Sequence, residues 1–255
     1  MGGSLNKTLG WVLGLDLKIR NRVSAYTSPV RRSFWLWRFE LRKLVQRFSV
    51  SKDELLTSSQ VEIHFINLDH RVDRLKQVSK ELSKLNLGSP KRFSAIYEVS
   101  GAVGCAKSHG YLTQSLGGSS SPALICEDDA EFLVSKKRLK EVIDEFLADR
   151  VLDVLCIANS TSGQPHRISE RLAITNNTQT TSCYLVKPSA LKLLSKSFLK
   201  SSRMLEAGFP ANRYAADMLW KRLQNGRLIF AVPTVRLARQ TSSYSDIQRR
   251  FTDYR

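Results

Sequence analysis

The sequence predicts an α/β fold in three layers, with helices on both faces of a mostly parallel sheet. From residue 61 onward, short apolar segments alternate with amphipathic segments whose apolar residues recur at helical spacing. Alternation of strands and helices is typical of parallel sheets built from successive strand–helix units. The segment 151–158 is almost continuously apolar, which predicts a strand in the middle of the sheet.

The elements follow in a regular order along the chain. The predicted strands are 62–68, 123–126, 151–158, 182–186 and 228–232. The predicted helices are 72–85, 136–148, 188–199 and 215–224. Pro188 suits a first helical position, Gly226 stops the last helix, and Pro233 ends the last strand.

Residues 1–58 differ from the rest of the chain and form a predicted basic amphipathic segment, whereas residues 59–255 form the main domain. Apolar residues recur there at helical spacing, namely Val30, Phe34, Trp37, Leu41, Leu44, Val45 and Phe48. Basic residues fall largely on other faces, namely Arg31, Arg32, Arg38, Arg42, Lys43 and Arg47. Such a helix can bind an anionic membrane surface, or it can dock by its apolar face on the body of the protein.

The composition limits the classes of partner and compartment. The 255 residues carry a formal charge of +17, which favours an anionic partner: nucleic acid, acidic lipid or a phosphorylated ligand. The four cysteines are scattered with no CxxC pair, which argues against zinc and favours reduced thiols in the cytosol. We expect no signal peptide and no membrane span, and therefore a cytoplasmic protein that binds the membrane peripherally at most.

The segment 123–132 is the strongest chemical signal, because a short apolar strand ends in Glu127, Asp128 and Asp129. Adjacent carboxylates repel one another, so a positive charge is needed to hold them. Carboxylate oxygens suit magnesium, manganese or calcium, and α/β proteins commonly bind ligands at the carboxyl edge of the sheet. The alternative is an acidic turn that caps the following helix.

Three further segments carry candidate site residues. In INLDHRVDR (66–74), Asn67 can hydrogen-bond a base or ribose, and Arg71 and Arg74 can bind phosphate. In GAVGCAKSH (101–109), the glycines, among them Gly104, allow close backbone approach to a ligand, and His109 adds a polar group. Asp217 is either a charge at a helix start or a general base directed into a cleft.

These segments, in this order, resemble glycosyltransferase family 25, which includes bacterial lipooligosaccharide galactosyltransferases and procollagen galactosyltransferases. The resemblance covers about residues 61–250 and also includes LICEDD (124–129) and SCYLVKPSA (182–190). Gln240 with the later residues 245–247 is similar to the family's closing segment.

The resemblance implies a GT-A fold and a nucleotide-sugar donor, usually UDP-galactose, with inversion at the anomeric carbon. It implies that Mn²⁺ or Mg²⁺ is held by Asp129 first, with Glu127 or Asp128 as the second contact. Asp217 is then the candidate catalytic base, with Glu131 and Asp246 as substitutes. The residues expected to shape the nucleotide pocket are Asn67, Arg71, Arg74, Gly104, His109, Glu127 and Asp128.

The leading hypothesis is a metal-dependent hexosyltransferase that acts on lipopolysaccharide, lipooligosaccharide or another surface glycan. Nucleic-acid binding is disfavoured because the basic residues are dispersed and the sequence contains no recognisable nucleic-acid-binding module. A metal phosphohydrolase would gather more His and Asp ligands than this chain, with four histidines, provides. An inactive family member that acts as a binding protein stays open.

Overall fold

The computed structural model describes residues 28–48, 56–85, 87–241, 243–245 and 250–252. Asp246, a candidate substitute base, lies outside these residues. The chain separates into two compact units, Met1–Ser49 and Val50–Arg255, which we describe one at a time. The functional division into residues 1–58 and 59–255 stays a prediction.

The first unit contains one described helix, α1, Ser28–Phe48. It lies where the spacing of apolar residues predicts a helix. The ammonium group of Lys43 lies 4.7 Å from the centre of the Phe39 ring, one turn away. None of the helices in the described ranges has a stretch that is long and apolar enough to cross a bilayer.

The second unit contains the sheet and the remaining helices. Its strands are β1 Glu62–Asn67, β2 Lys91–Ser94, β3 Ala123–Glu127, β4 Ala130–Phe132, β5 Val154–Thr161, β6 His166–Arg167, β7 Leu172–Thr175, β8 Thr178–Val186, β9 Phe230–Pro233, β10 Ala238–Gln240, β11 Ser243–Ser245 and β12 Arg250–Thr252. Its helices are a short 3₁₀ turn at Ser58–Gln60 and α2 Val72–Leu85, α3 Gly101–Ser115, α4 Lys136–Ala148, α5 Pro188–Glu206, α6 Ala211–Tyr214 and α7 Ala216–Gln224.

The main sheet has ten strands, with the order β2-β1-β3-β8-β5-β9-β7-β6 and with β10 joining β4 to β5. Seven of these strands point the same way, and β4, β7 and β8 run in the opposite direction. The strands are therefore mostly parallel in direction, as the sequence predicts, while β4, β7 and β8 make five of the nine pairings antiparallel. Strand β5 lies in the interior of the sheet, which confirms the central position predicted for the apolar segment 151–158.

Helices cover both faces of the sheet, which confirms the three-layer α/β architecture. On one face, α3, α5 and α7 pack together and against alternate residues of β1, β3, β5, β8 and β9. The core on this side contains the aromatic residues Tyr184, Phe198, Trp220 and Phe230, with Tyr184 and Trp220 in edge-to-face contact at 5.6 Å. The intervening strand residues face the other side, where α2 and α4 bury their apolar stripes.

The strand directions bring several chain segments to one edge of the sheet. Strands β1 and β3 are parallel neighbours with Ile66 opposite Glu127, so both carboxyl ends reach the same edge. Strand β8 is antiparallel to β3 with Cys183 opposite Cys126, so its first residues start at that edge. The acidic triplet therefore lies between the end of β1 and the beginning of β8.

The sequence does not predict the short strands β2, β4, β6, β7, β10, β11 and β12 or the short helix α6, and β8 and α5 are longer than predicted. The seven short strands have two to four residues each. Such strands have too few residues to show a clear hydrophobic period. They are stabilised by pairing with neighbouring strands more than by the intrinsic β-preference of their residues.

Candidate functional site

Polar side chains from six other elements meet at the carboxyl end of β3. Asn67, Asp128 and Asp129 are almost completely buried there, although Asn and Asp are mostly found at protein surfaces. Buried polar groups of this kind need hydrogen-bond partners, and the partners come from segments far away in the sequence.

Asp128 is held by the end of β1 and by α2. The amide nitrogen of Asn67 donates to Asp128 Oδ2 at 2.8 Å, and Arg74 Nη1 donates to Oδ1 at 2.9 Å. Arg74 Nη1 also lies 4.0 Å from Asp129 Oδ2. Burial raises the pKa of Asp128 above its usual value, although the Arg74 charge opposes this effect.

Asp129 is held by neutral donors from β8 and β10. The Ser182 hydroxyl donates to Oδ1 at 3.0 Å, and the Gln240 amide donates to Oδ2 at 3.3 Å. Burial, followed by the charge of Glu127, raises the pKa of Asp129 to about 7. This carboxylate is therefore costly to ionise, and an added cation close to it would be favoured.

Glu127 lies on the side of the same cluster that faces helix α3. His109 Nε2 lies 3.1 Å from Glu127 Oε1, and the Thr181 hydroxyl donates to the same oxygen at 2.6 Å. Burial alone would raise the pKa of Glu127, but the contacts with His109 and Thr181 outweigh it, and the pKa is lowered. Glu127 is therefore the one acid of the triplet whose pKa is lowered in the folded protein.

Asp217 lies in the first turn of α7 and is directed towards the same edge. The Thr180 backbone N–H donates to Asp217 Oδ2 at 3.3 Å, and burial raises the pKa of this carboxyl. Thr180 has a φ of 71°, which is unusual for a β-branched residue. The Thr180 hydroxyl also donates to the Gln240 side-chain oxygen at 3.2 Å, so one strained residue joins the surroundings of Asp217 and Asp129.

The residues of the 101–109 segment have separate local roles. A Cβ added to Gly104 would lie 2.5 Å from the carbonyl oxygen of Ile96, so only glycine fits this close approach. The Ser108 hydroxyl accepts from the Ile96 N–H at 2.8 Å and donates to the Gly104 carbonyl at 2.7 Å. These contacts fix the loop before α3 against the helix that carries His109.

The structure brings together most of the candidates, whereas the side chains of Arg71 and Glu131 bond to residues outside the triplet. Arg71 donates to Asp73 through Nε and Nη2, at 3.0 and 2.8 Å, which lowers the pKa of Asp73 to about 2. Glu131 accepts from Arg239 Nε at 2.7 Å on the strand pair β4–β10. Their predicted roles in nucleotide binding and as a substitute base therefore stay predictions.

Sequence reasoning did not identify Thr180 and Thr181 as parts of the site. The only signal for them is the run of three hydroxyl residues, 180–182, directly before the predicted strand 182–186. A hydroxyl run of this kind is common in loops, so it becomes informative only when β8 is known to lie beside β3.

No protein-family profile matches this sequence, and no curated protein matches it. Among solved structures, the chain is similar to one titled "Crystal structure of a glycosyltransferase involved in the glycosylation of the major capsid of PBCV-1". The identity is 12%, the match covers 74% of this chain and 96% of that chain, and the TM-score is 0.48. A likeness this distant carries no argument about activity.

The raised pKa of Asp129 predicts an unusual pH dependence of stability. Between pH 4 and its folded pKa of about 7, the folded state keeps a proton that the unfolded state has released. The free energy of unfolding contributed by this group therefore falls as the pH rises through that window. Urea unfolding of metal-free wild type and Asp129→Asn, measured from pH 4 to 8, should show the variant gaining stability relative to wild type with rising pH. A constant difference across the window would contradict the assignment.

Proposed function

We propose that this protein is a glycosyltransferase that transfers a hexose from a nucleotide sugar, UDP-galactose, to a glycan acceptor with inversion. The acceptor class is a lipopolysaccharide, a lipooligosaccharide or another surface glycan. The observation that carries the proposal is that separate motifs of the family 25 resemblance hydrogen-bond one another at one sheet edge. The contacts are Asn67 and Arg74 to Asp128, His109 to Glu127, and Ser182 to Asp129.

The donor set of the site fits a divalent cation such as Mn²⁺ or Mg²⁺. Asp129 and Glu127 supply hard carboxylate oxygens, and the pKa of Asp129, raised to about 7, indicates that its protein neighbours do not fully offset the cost of its charge. When bound, the ion would supply Lewis-acid stabilisation of the charge that develops on the departing UDP. Asn67 and Arg74 would keep Asp128 in place beside these ligands.

Asp217 is our candidate for the catalytic base. Its buried carboxyl has a raised pKa, which moves it towards the range in which a base works efficiently near neutral pH. In the proposed step, Asp217 accepts the proton of the acceptor hydroxyl. The hydroxyl oxygen then forms a bond to the anomeric carbon while the bond from that carbon to the UDP oxygen breaks.

A second candidate function is a binding protein without transferase activity. Both carboxylate oxygens of Asp128 already accept hydrogen bonds from protein groups, and those of Asp129 accept from Ser182 and Gln240. A site whose carboxylates already have protein donors could bind a nucleotide without the changes that catalysis requires. The donor screen below distinguishes the two functions.

The donor screen measures release of the nucleotide from a panel of UDP-, GDP- and CMP-sugars with Mn²⁺ and surface-glycan acceptors. Wild type should release UDP from UDP-galactose, and Asp129→Ala should be slower by at least about 100-fold, as expected for loss of a group that helps to bind the metal. Glu141→Gln, on helix α4, is the matched control and should keep the wild-type rate. Equal rates of wild type and Asp129→Ala towards every donor would refute the site, and binding of UDP without release would support the binding protein.

The role of Asp217 can be tested by kinetics. Asp217→Asn should lower kcat by about 10²–10⁴, the usual contribution of a general base, while the Kd of UDP changes little. Because the base must be ionised, the wild-type rate should rise with pH through the raised pKa of Asp217, and the variant should lose this dependence. Glu131→Gln serves as the comparison: a larger loss there than in Asp217→Asn would transfer the role to Glu131.

We also propose that the basic helix α1 binds an anionic membrane that carries the acceptor. Full-length protein should float with vesicles rich in phosphatidylglycerol, and a form without residues 1–58 should float less. A full-length variant with its six basic residues of 31–47 changed to glutamine separates the effect of charge from that of truncation. Equal flotation of all three forms would exclude the membrane role, and vesicles of pure phosphatidylcholine provide the baseline.

A further inference from the structure

Three potential metal ligands of different chemical types lie together at the first acid of the triplet, Glu127. Cys105 and His109 are four residues apart on α3, so their side chains extend from the same face of the helix. Glu127, at the end of β3, faces them. A thiol sulfur, an imidazole nitrogen and a carboxylate oxygen from these residues all lie within 4.8 Å of one another.

The surroundings of His109 hold its ring in the orientation that a metal ligand needs. His109 Nδ1 lies 3.0 Å from the Tyr184 hydroxyl, while Nε2 points to Glu127 Oε1. The rings of Tyr184 and Phe198 pack against the imidazole at centroid distances of 5.7 and 5.4 Å. Histidines that bind metals almost always use their second ring nitrogen for such an outer hydrogen bond, which fixes the tautomer and the ring plane.

We propose that Cys105, His109 and Glu127 form a binding site for a borderline-soft transition-metal ion of the Zn²⁺ class. One sulfur, one nitrogen and one oxygen ligand match the preference of Zn²⁺ for mixed S, N and O donors. Three protein ligands leave one position of a tetrahedron for water, as in open zinc sites. A thiolate is a poor ligand for Mg²⁺ or Ca²⁺, so this site differs in metal preference from the hard carboxylate site at Asp129.

Protons and charges are accounted for when the ion binds. The Cys105 thiol releases its proton to solvent as the bond from sulfur to the metal forms. The neutral His109 ring binds through Nε2, and its Nδ1–H donates a hydrogen bond to the Tyr184 oxygen. The thiolate and the Glu127 carboxylate then carry two negative charges that neutralise the ion, so a buried net charge is avoided.

The site would also affect the proposed transferase, and this part rests on the proposed function. Glu127 belongs both to the soft-metal group and to the carboxylates expected to hold Mn²⁺. An ion bound between Cys105, His109 and Glu127 would occupy the Glu127 carboxylate, which could then no longer help to hold Mn²⁺. Zn²⁺ should therefore compete with Mn²⁺ and inhibit sugar transfer, whereas the metal site itself does not depend on any donor.

The test is a Co²⁺ titration of full-length protein after removal of metals with a chelator. Co²⁺ takes the place of Zn²⁺ and gives visible bands in a tetrahedral site, and a thiolate ligand adds a near-ultraviolet charge-transfer band. Wild type should develop both signals at one ion per chain, and equimolar Zn²⁺ should abolish them. Cys105→Ala should lose the charge-transfer band, and Cys156→Ala, which removes a buried thiol in the middle of the sheet, should keep it.

Absence of the charge-transfer band in wild type, or its persistence in Cys105→Ala, would overturn the proposal. Glu127→Gln provides a second test in case Cys105→Ala does not fold, because it keeps the size of the residue 127 side chain and the Cys105 thiol. It should weaken Co²⁺ binding by at least about tenfold, since loss of even an outer partner costs this much, and unchanged affinity would also overturn the proposal. The titration contains no nucleotide sugar, so its result is independent of whether the protein transfers sugars.

Discussion

Concentration of negative charge at one edge of the sheet is the constraint on which this structure depends. Glu127, Asp128 and Asp129 follow one another along the chain, and Asp217 approaches from α7. Burial raises the pKa of three of these four carboxyls, so the folded chain has a free-energy cost at neutral pH. Arg74, Asn67 and the hydroxyls of β8 offset part of the cost. An arrangement that destabilises the free protein in this way is expected where a ligand supplies the missing positive charge.

The aromatic core below the sheet edge holds these groups in place. Tyr184 packs edge-to-face on Trp220 in the core and reaches His109 with its hydroxyl, so it connects the core with Glu127. Helix α7 is tied to the first residue of β8, because the Trp220 and Gln224 side chains donate to the Thr178 carbonyl at 3.1 and 2.8 Å. The position of Asp217 relative to β8 is therefore set by buried hydrogen bonds rather than by a surface loop.

The strongly periodic helices and the apolar strands could be predicted from the sequence, because burial of one face leaves a clear pattern. The place of the acidic triplet at the sheet edge could also be predicted, since the triplet directly follows an apolar strand. The left-handed Thr180, the donors Thr181 and Gln240 and the closeness of Cys105 to Glu127 could not be predicted in the same way. Each depends on which strands are neighbours, and β8 enters between β3 and β5 in a direction that no local pattern specifies.

The 101–109 segment shows why a motif and its chemical meaning have to be separated. Two glycines before a helix favour an anion-binding turn when only the sequence is known. In the structure, the space beside Gly104 is occupied by the Ile96 carbonyl, and Ser108 bonds both to that loop and to the Gly104 carbonyl. One turn of helix thus fixes a loop through Gly104 and Ser108 and directs Cys105 and His109 towards Glu127. Residues four apart share a face of a helix, which explains the spacing of the motif. Gly104 and Ser108 lie on the face that packs on the loop, and Cys105 and His109 lie on the face directed towards Glu127.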